Sequence, residues 1–306
     1  MKNVIVTGAN GFVGSAVVKE LIKHDINVYA IVRNSKDRIE NLPNLQIFSC
    51  ELSEISRLKN ILPDLDYDVF YHFAWDGSAG NARFDTKLQL DNAQWTVDAL
   101  KVAKRVGCKR FVCAGSIMEQ ETIAAAYKQG NRPALGYIYG GGKVISHIMS
   151  MSVANKIGID LIWAHITNAY GVGEISPRLV NTTIRKIINS ESPQFTSGTQ
   201  NYDFVYIDDV ANAFYLVGEK GKPFNSYIIG SSNAKPLREF LLDMKDSIAP
   251  DLDFIFGDLP FTGIDLPLEA FSCENIEQDT GFKANISFKE GVKRTMDWLI
   301  EQENNK

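Results

Sequence analysis

The 306-residue chain has no run of the ~18 consecutive apolar residues that a membrane-spanning helix needs. Its opening, MKNVIVTGANGF, lacks the charged segment and long apolar stretch of a secretory leader. The expectation is a soluble, cytoplasmic protein with no membrane partner. Cysteine is scarce, and Cys50, Cys108, Cys113 and Cys273 form no Cys-x-x-Cys pair and have no histidine partner at metal spacing. Reduced, mostly buried thiols and no metal are expected. A basic surplus is missing as well: 32 Lys and Arg against 37 Asp and Glu leave a net charge of −5, which argues against nucleic acid as a partner. Internal repeats and low-complexity tracts are absent, and only the closing EQENNK reads as a frayed tail.

What is present is a rhythm. Short apolar runs (NVIVTG, NVYAIVR, LQIFSCEL, DVFYHFAW, RFVCAGS, IDLIWAHI) alternate with amphipathic stretches at Ser15 to His24, Thr86 to Gly107 and Tyr139 to Gly158. Strand and helix in alternation imply βαβ units, hence an α/β fold with a doubly wound parallel sheet through about Asn168. Beyond it the pattern loosens: helices at Ser176 to Asn189, Val210 to Glu219, from Leu237 and at Phe288 to Glu301, strands at Asp203 to Ile207 and Ser226 to Gly230, and a loop-rich Pro250 to Leu268. Residues 1–168 are expected to form the dinucleotide-binding part. Residues 169–306 are expected to form a smaller α/β substrate lobe over the sheet's carboxyl edge, with some segments returning to the sheet.

Gly8, Gly11 and Gly14 in VTGANGFVG follow the first strand directly and open the first helix. Glycines there allow a tight turn and let a pyrophosphate approach backbone N–H groups at a helix N-terminus, so a dinucleotide site is expected. About 20 residues on, where the adenosine ribose is met, stands Arg33, followed by Asn34, Lys36 and Arg38. Arginine suits a 2′-phosphate, whereas a carboxylate would accept from the 2′-hydroxyl of NAD. NADP(H) is the preferred reading and NAD(H) the alternative.

Tyr139 and Lys143 are four apart, which on a helix puts them on one face. A nearby ammonium favours the phenolate of a tyrosine whose ordinary pKa, about 10, suits it poorly to proton transfer at neutral pH. A hydroxyl at a neighbouring strand end, Ser116 in VCAGS, could hold a carbonyl or alcohol oxygen against the tyrosine. Tyr137 lacks the lysine spacing. Asp208 and Asp209, just before a helix, read as N-caps; His72 as packing; Trp75 and Trp163 as core or pocket wall.

Taken in order, TGANGFVG, HFAW, Asn92, AGS, YGGGK, NAYG and GTQNYDFVYIDDVANAF resemble the short-chain dehydrogenase/reductase superfamily, in particular its extended branch acting on nucleotide sugars. The resemblance implies a Rossmann-type fold, a nicotinamide cofactor, a catalytic set of Ser116, Tyr139 and Lys143, and a homodimer through the helices of Asn92 and Tyr139. It places Gly8, Asn10, Gly11, Phe12, Val13, Gly14, Arg33, Glu51, Leu52, Phe73, Ala74, Trp75, Asn92, Ala114, Tyr139, Lys143 and Ile166 along the cofactor. Trp75, Ser116, Asn168, Arg178 and Tyr202 would face a nucleotide-sugar substrate. It also gives a reason for Gly140 to Gly142, each costing about 1 kcal/mol against alanine in a helix interior: close packing of this helix against the cofactor or an adjacent strand.

The chain departs from many epimerases of that branch in having His165 and Tyr202 where arginines are usual; Arg178 or Arg185 could meet a substrate phosphate instead. HFAWDG, the AGS context with Glu119, and QNYDF look closer to reductases of 4-keto-6-deoxy nucleotide sugars. The leading expectation is an NADPH-dependent reductase in which Tyr139 gives a proton to the carbonyl oxygen that Ser116 holds. The alternative is a 4-epimerase or dehydratase with tightly held NAD; a dehydratase would want an Asp-Glu pair where Ile117 and Met118 stand. A non-catalytic dinucleotide sensor has no need of Ser116, Tyr139 and Lys143 together.

Overall fold

Val4 and Val6 pack into one apolar cluster while Ile5, between them, packs into another, and all three are fully buried. Successive strand residues point to opposite faces, so such a strand must be covered on both. The computed structural model describes residues 1–34, 36–39 and 41–304. It opens with β1 (Asn3–Thr7), α1 (Phe12–Lys23), β2 (Asn27–Val32), β3 (Leu45–Ser49), the one-turn α2 (Leu58–Ile61) and β4 (Val69–His72). After a 3-10 segment at Gly80–Phe84 come α3 (Thr86–Arg105), β5 (Arg110–Ser116), α4 (Met118–Tyr127), α5 (Tyr137–Ile157) and β6 (Asp160–Ile166). Next are β7 (Asn168–Tyr170), α6 (Leu179–Ile188), β8 (Gln194–Phe195), β9 (Asn201–Tyr202), β10 (Phe204–Tyr206) and α7 (Ile207–Lys220). The chain ends with β11 (Ser226–Ile229), β12 (Lys235–Pro236), α8 (Leu237–Ile248), β13 (Ile255–Phe256), α9 (Glu274–Thr280) and α10 (Phe288–Asn304).

Seven parallel strands form the main sheet in the order β11-β6-β5-β4-β1-β2-β3. The chain winds outward from β1 through β2 and β3, then from β4 through β5 and β6 on the other side. The order therefore reverses between β1 and β4, where such sheets open a crevice at their carboxyl ends. One face carries Val17 and Leu21 of α1 with Phe214 and Val217 of α7; the other carries Leu100 and Ala103 of α3 with Ala154 of α5. This is the doubly wound α/β arrangement expected from the alternation.

The strand that completes the sheet, β11, comes from the second half of the chain and pairs with β6. The first of the two clusters continues from the sheet into Phe195, Phe204, Phe240 and Phe288, so the second half adds to that core. Phe204 packs against Tyr170, Phe240 and Phe288 with ring centroids 5.1–6.1 Å apart. Among the described residues no helix is long and apolar enough to cross a membrane. Cys108, Cys113 and Cys273 are buried and Cys50 half-buried, all as free thiols.

One helix was missed and two local expectations need correction. Helix α4 was not legible, because its buried residues are only Glu119 and Ala125 and it has no apolar stripe. The last helix runs to Asn304, so most of EQENNK is helical; Asn305 and Lys306 lie outside the described residues. Asp208 and Asp209 sit in the first turn of α7, whose N-cap is Tyr206, and cap nothing. Asp209 instead accepts from the backbone N–H groups of Asn285 and Ile286, each at 2.9 Å, tying down the segment before α10, while Asp208 pairs with Arg294.

Candidate active site

The turn after β1 is built for close approach. Gly8 has φ +66°, and a Cβ there would lie 2.6 Å from the Ala74 nitrogen at the end of β4; one on Gly14 would collide with the Gly8 carbonyl oxygen. The Gly11 N–H closes the turn on that carbonyl at 2.9 Å. Helix α1 then starts at Gly11 with no side-chain cap and no acidic residue in its first turn. Its first N–H groups therefore face the crevice as anion donors.

From this turn a cleft of about 850 Å³ runs across the carboxyl edge of the sheet. Gly8, Asn10, Gly11, Phe12, Val13, Gly14, Arg33, Glu51, Leu52, Phe73, Ala74, Trp75, Ala114, Ser116, Tyr139, Lys143, Ile166 and Arg178 all line it. Asn92 does not. It is buried in α3, where it accepts from Asp76 N and donates to Asp76 O, both at 2.8 Å, and so holds the loop behind Trp75. At the far end Arg33, Asn34 and Arg38 share the wall with Glu51, and Arg33 Nη1 lies 3.3 Å from Asp76 Oδ2. Ser35 of this loop is outside the described residues.

At the near end, α5 presents Tyr139 and Lys143 to the cleft as the spacing required. Lys143 is buried; its Nζ donates to the Ala114 carbonyl oxygen at 2.8 Å and lies 3.8 Å from the centre of the Trp75 ring. Trp75 in turn meets Tyr139 edge-on, centroids 6.0 Å apart, and is held by an Nε1 donor bond to Gln89. Lys143 is thus fixed beside Tyr139 through Trp75 and the strand carbonyl. Tyr137 lines neither this cleft nor its neighbour. His72 is structural: fully enclosed between Thr7 and Thr96, with its pKa pushed down to about 3 by burial and, to a lesser degree, by Lys143.

The glycines of α5 have a different cause from the one expected. A Cβ on Gly140 would collide with Thr122 Oγ1 and come within 2.8 Å of the Met118 carbonyl oxygen of α4, and one on Gly142 within 2.9 Å of the Gln89 carbonyl oxygen of α3. Gly141 has nothing within 4 Å. Neighbouring helices, not a strand, exclude the two side chains.

A second cavity of about 270 Å³ opens beside the cleft. Ser116, Tyr139 and Arg178 line both, while Asn168, Tyr202, Arg83 and Glu121 line the second alone. Arg178 pairs with Glu174 at 3.4 Å; Arg185 points elsewhere, to Glu303. Burial pushes the Tyr202 phenol up to about 12. Burial also pushes the Glu121 carboxyl up to about 7, against the opposing pull of Arg83. The Arg83 guanidinium lies 4.5 Å from the centre of the Tyr139 ring. Neither Arg83 nor Glu121 stood out in the sequence, since a helix one turn past Ser116 and a 3-10 turn after β4 had to be known first.

Beneath Ser116 lies a buried carboxylate. Glu119 Oε1 accepts from Ser116 N at 2.9 Å and Trp163 Nε1 at 3.0 Å, and lies 3.4 Å from His165 Nδ1; Oε2 is 3.2 Å from His147 Nδ1. Burial alone would raise its pKa, but the bonds from His147, His165 and Trp163 outweigh it and hold Glu119 well below the carboxylate range. Glu119, His147 and His165 are close enough to share a cation. The Ser116 and Trp163 N–H groups aimed at the same oxygen make this a hydrogen-bond hub instead.

Residues 4–230 match the model of the NAD dependent epimerase/dehydratase family, and the chain belongs to that family. The dTDP-glucose 4,6-dehydratase of Haemophilus influenzae is 23% identical over 98% of both chains. The trifunctional UDP-glucose 4,6-dehydratase/UDP-4-keto-6-deoxy-D-glucose 3,5-epimerase/UDP-4-keto-L-rhamnose-reductase of Arabidopsis thaliana is 24% identical over 98% of this chain, which spans about half of that protein, 47%. The Bordetella bronchiseptica enzyme WbmF, solved in complex with NAD+, superposes with a TM-score of 0.81 at 22% identity, covering 99% of this chain and 94% of its own.

Proposed function

We propose that this member of the NAD dependent epimerase/dehydratase family is an NADPH-dependent reductase of a nucleotide-linked 4-keto sugar. The observation that carries the reading is that Ser116 and Tyr139 line both cavities, at the junction where a dinucleotide in the cleft and a sugar in the second cavity would meet. Gly8 and Gly14 permit the tight turn that brings the uncapped N-terminus of α1 to the wall of the cleft, so the residues present fit a dinucleotide. When bound, the nicotinamide supplies the hydride. The chain's own part is placement and proton supply. Ser116 holds the carbonyl oxygen by its hydroxyl, Tyr139 delivers a proton to that oxygen, and Lys143, fixed by Ala114 O and Trp75, keeps positive charge beside the phenol. Arg33 and Arg38 at the adenosine end support the choice of NADPH, and Arg178, which also lines the second cavity, is a candidate for the substrate diphosphate.

Leu90 on α3 with Ile145, Ile148 and Met151 on α5 are exposed apolar residues, which supports a homodimer through these two helices as part of the same proposal.

A second reading, dehydratase or epimerase, is favoured by one observation: Glu121 lines the second cavity with a carboxyl that titrates near neutrality and could exchange a proton with substrate. Supplying UDP- and dTDP-linked 4-keto sugars with NADPH separates the two. The reductase oxidises one NADPH for each sugar reduced; conversion of a nucleotide sugar without net NADPH use overturns the reductase in favour of the second reading.

A further inference from the structure

Lys143 is a buried ammonium with no carboxylate to pair with. Its Nζ donates to the Ala114 carbonyl oxygen and lies over the Trp75 ring, and among the described residues it has no other hydrogen bond or ion pair. The titratable groups of the sheet that feel its charge are neutral at pH 7: burial pushes the His72 imidazole down to about 3 and the Cys113 thiol up to about 12. An ammonium taken out of water needs a partner. Here the face of an indole, the best of the aromatic rings for a cation, supplies it.

The ring is itself held. Trp75 Nε1 donates to Gln89 Oε1 at 2.8 Å, and Gln89, fully buried in α3, uses the other end of its amide on the same loop: Nε2 donates to the carbonyl oxygens of Gly77 at 3.2 Å and Ala82 at 3.0 Å. Helix α5 meets the same residue, since a Cβ on Gly142, next to Lys143 in the chain, would come within 2.9 Å of the Gln89 carbonyl oxygen. We propose that Trp75, latched by Gln89, is a positioning residue: its ring takes the place of a counter-ion, holding the Lys143 ammonium in the cleft while leaving its charge to act on Tyr139. A carboxylate there would hold the ammonium too, but its negative charge would offset the field at the phenol. An uncharged ring avoids that loss. The inference rests on the reading of Tyr139 as the proton donor and adds to it two residues that transfer no proton. Trp75 meets Tyr139 edge-on with centroids 6.0 Å apart, and Gln89 lines neither cavity.

The test is a series of variants: Trp75→Phe keeps a ring and loses the latch, Trp75→Leu loses both, and Gln89→Met removes the latch from outside the cavities. With NADPH and a 4-keto sugar, kcat should fall about tenfold or more in Trp75→Leu, and by less in Trp75→Phe and Gln89→Met. A second measurement needs no substrate: ultraviolet titration of the phenolate, wild type minus Tyr139→Phe, isolates one of the 11 tyrosines. With Trp75→Leu as the background its midpoint should move up by about one pH unit, because a phenol with less positive charge beside it keeps its proton longer. Trp75→Phe should move it less. The charged groups around the phenol, Arg83, Arg178 and Glu121, are present in every variant. An unmoved midpoint in Trp75→Leu overturns the proposal, and so does a wild-type kcat. Loss of kcat with the midpoint unmoved would mean that Trp75 only packs, and likewise overturns it. Should Trp75→Leu fail to fold, Gln89→Met carries the test, and wild-type values of both kcat and midpoint there overturn the proposal. If Tyr139→Phe turns over like the wild type, the reading of Tyr139 as proton donor falls, while the titration still decides whether Trp75 holds the charge.

Discussion

Glu119 Oε2 lies 3.2 Å from His147 Nδ1, and through this contact α5, which carries Tyr139 and Lys143, is joined to the end of β5, which carries Ser116. Tyr139, Lys143 and His147 are spaced four and four along one helix face. Glu119 therefore fixes the distance between the two hydroxyls of the candidate site without touching substrate itself.

Replacing this hub should separate positioning from binding. Glu119→Gln removes the buried charge on which Ser116 N, Trp163 Nε1 and the two histidines converge. It should lower kcat by about tenfold or more and cost on the order of 2 kcal/mol of stability, with NADPH affinity nearly unchanged. Steady-state kinetics with a cofactor titration checks it; a wild-type kcat in the variant would remove Glu119 from any positioning role.

Tyr139→Phe removes the proton donor and little volume, and the Tyr139 ring contacts with Trp75 and Arg83 survive in phenylalanine. Turnover should fall by about 10²-fold or more, with thermal stability and cofactor affinity close to wild type. Turnover that persists would mean another group supplies the proton.

Two of the three glycines of α5 should behave oppositely. Gly141→Ala meets open space and should stabilise the protein by about 0.5–1 kcal/mol through helix propensity. Gly140→Ala must displace Thr122 or the Met118 carbonyl and should destabilise it. Paired denaturant melts decide the matter; equal effects at both positions would contradict the packing described for α4 and α5.

Two groups should tilt the pH dependence of stability in opposite senses. His72, lowered from 6.5 to about 3 in the fold, leaves the unfolded chain to take up the proton first on acidification. Stability should thus fall as pH drops below about 6.5, by up to ~1.4 kcal/mol per pH unit. Glu121, raised from 4.5 to about 7, is charged at a cost in the folded state, a cost that grows as pH rises through that window. Glu121→Gln should therefore gain on the order of 1 kcal/mol at pH 8 and nothing at pH 4. Urea melts across this range give both slopes.

The sheet and the dinucleotide end were legible in the sequence because their signals are local: apolar runs in β1 and β4, and Gly8, Gly11 and Gly14 beside a helix start. Tyr139 and Lys143 were legible for the same reason, being one helical turn apart. Arg83, Glu121 and the Glu119 hub were not. Each depends on where a short, weakly patterned segment crosses the carboxyl edge of the sheet, and α4 offers no apolar period from which to place it. The glycines of α5 showed that something comes close, but only the three-dimensional arrangement identifies α3 and α4 as the neighbours.

The most direct test of NADPH as the reductant this protein takes is the ratio of NADPH to NADH affinity for protein stripped of nucleotide, with the released nucleotide identified first. Arg33 and Arg38 on the wall of the cleft lead us to expect NADPH binding about tenfold tighter or more, with no retained NAD. NAD released in proportion to the protein, together with NADH binding as tight as NADPH or tighter, would contradict the reductase and put a cofactor-recycling epimerase or dehydratase in its place.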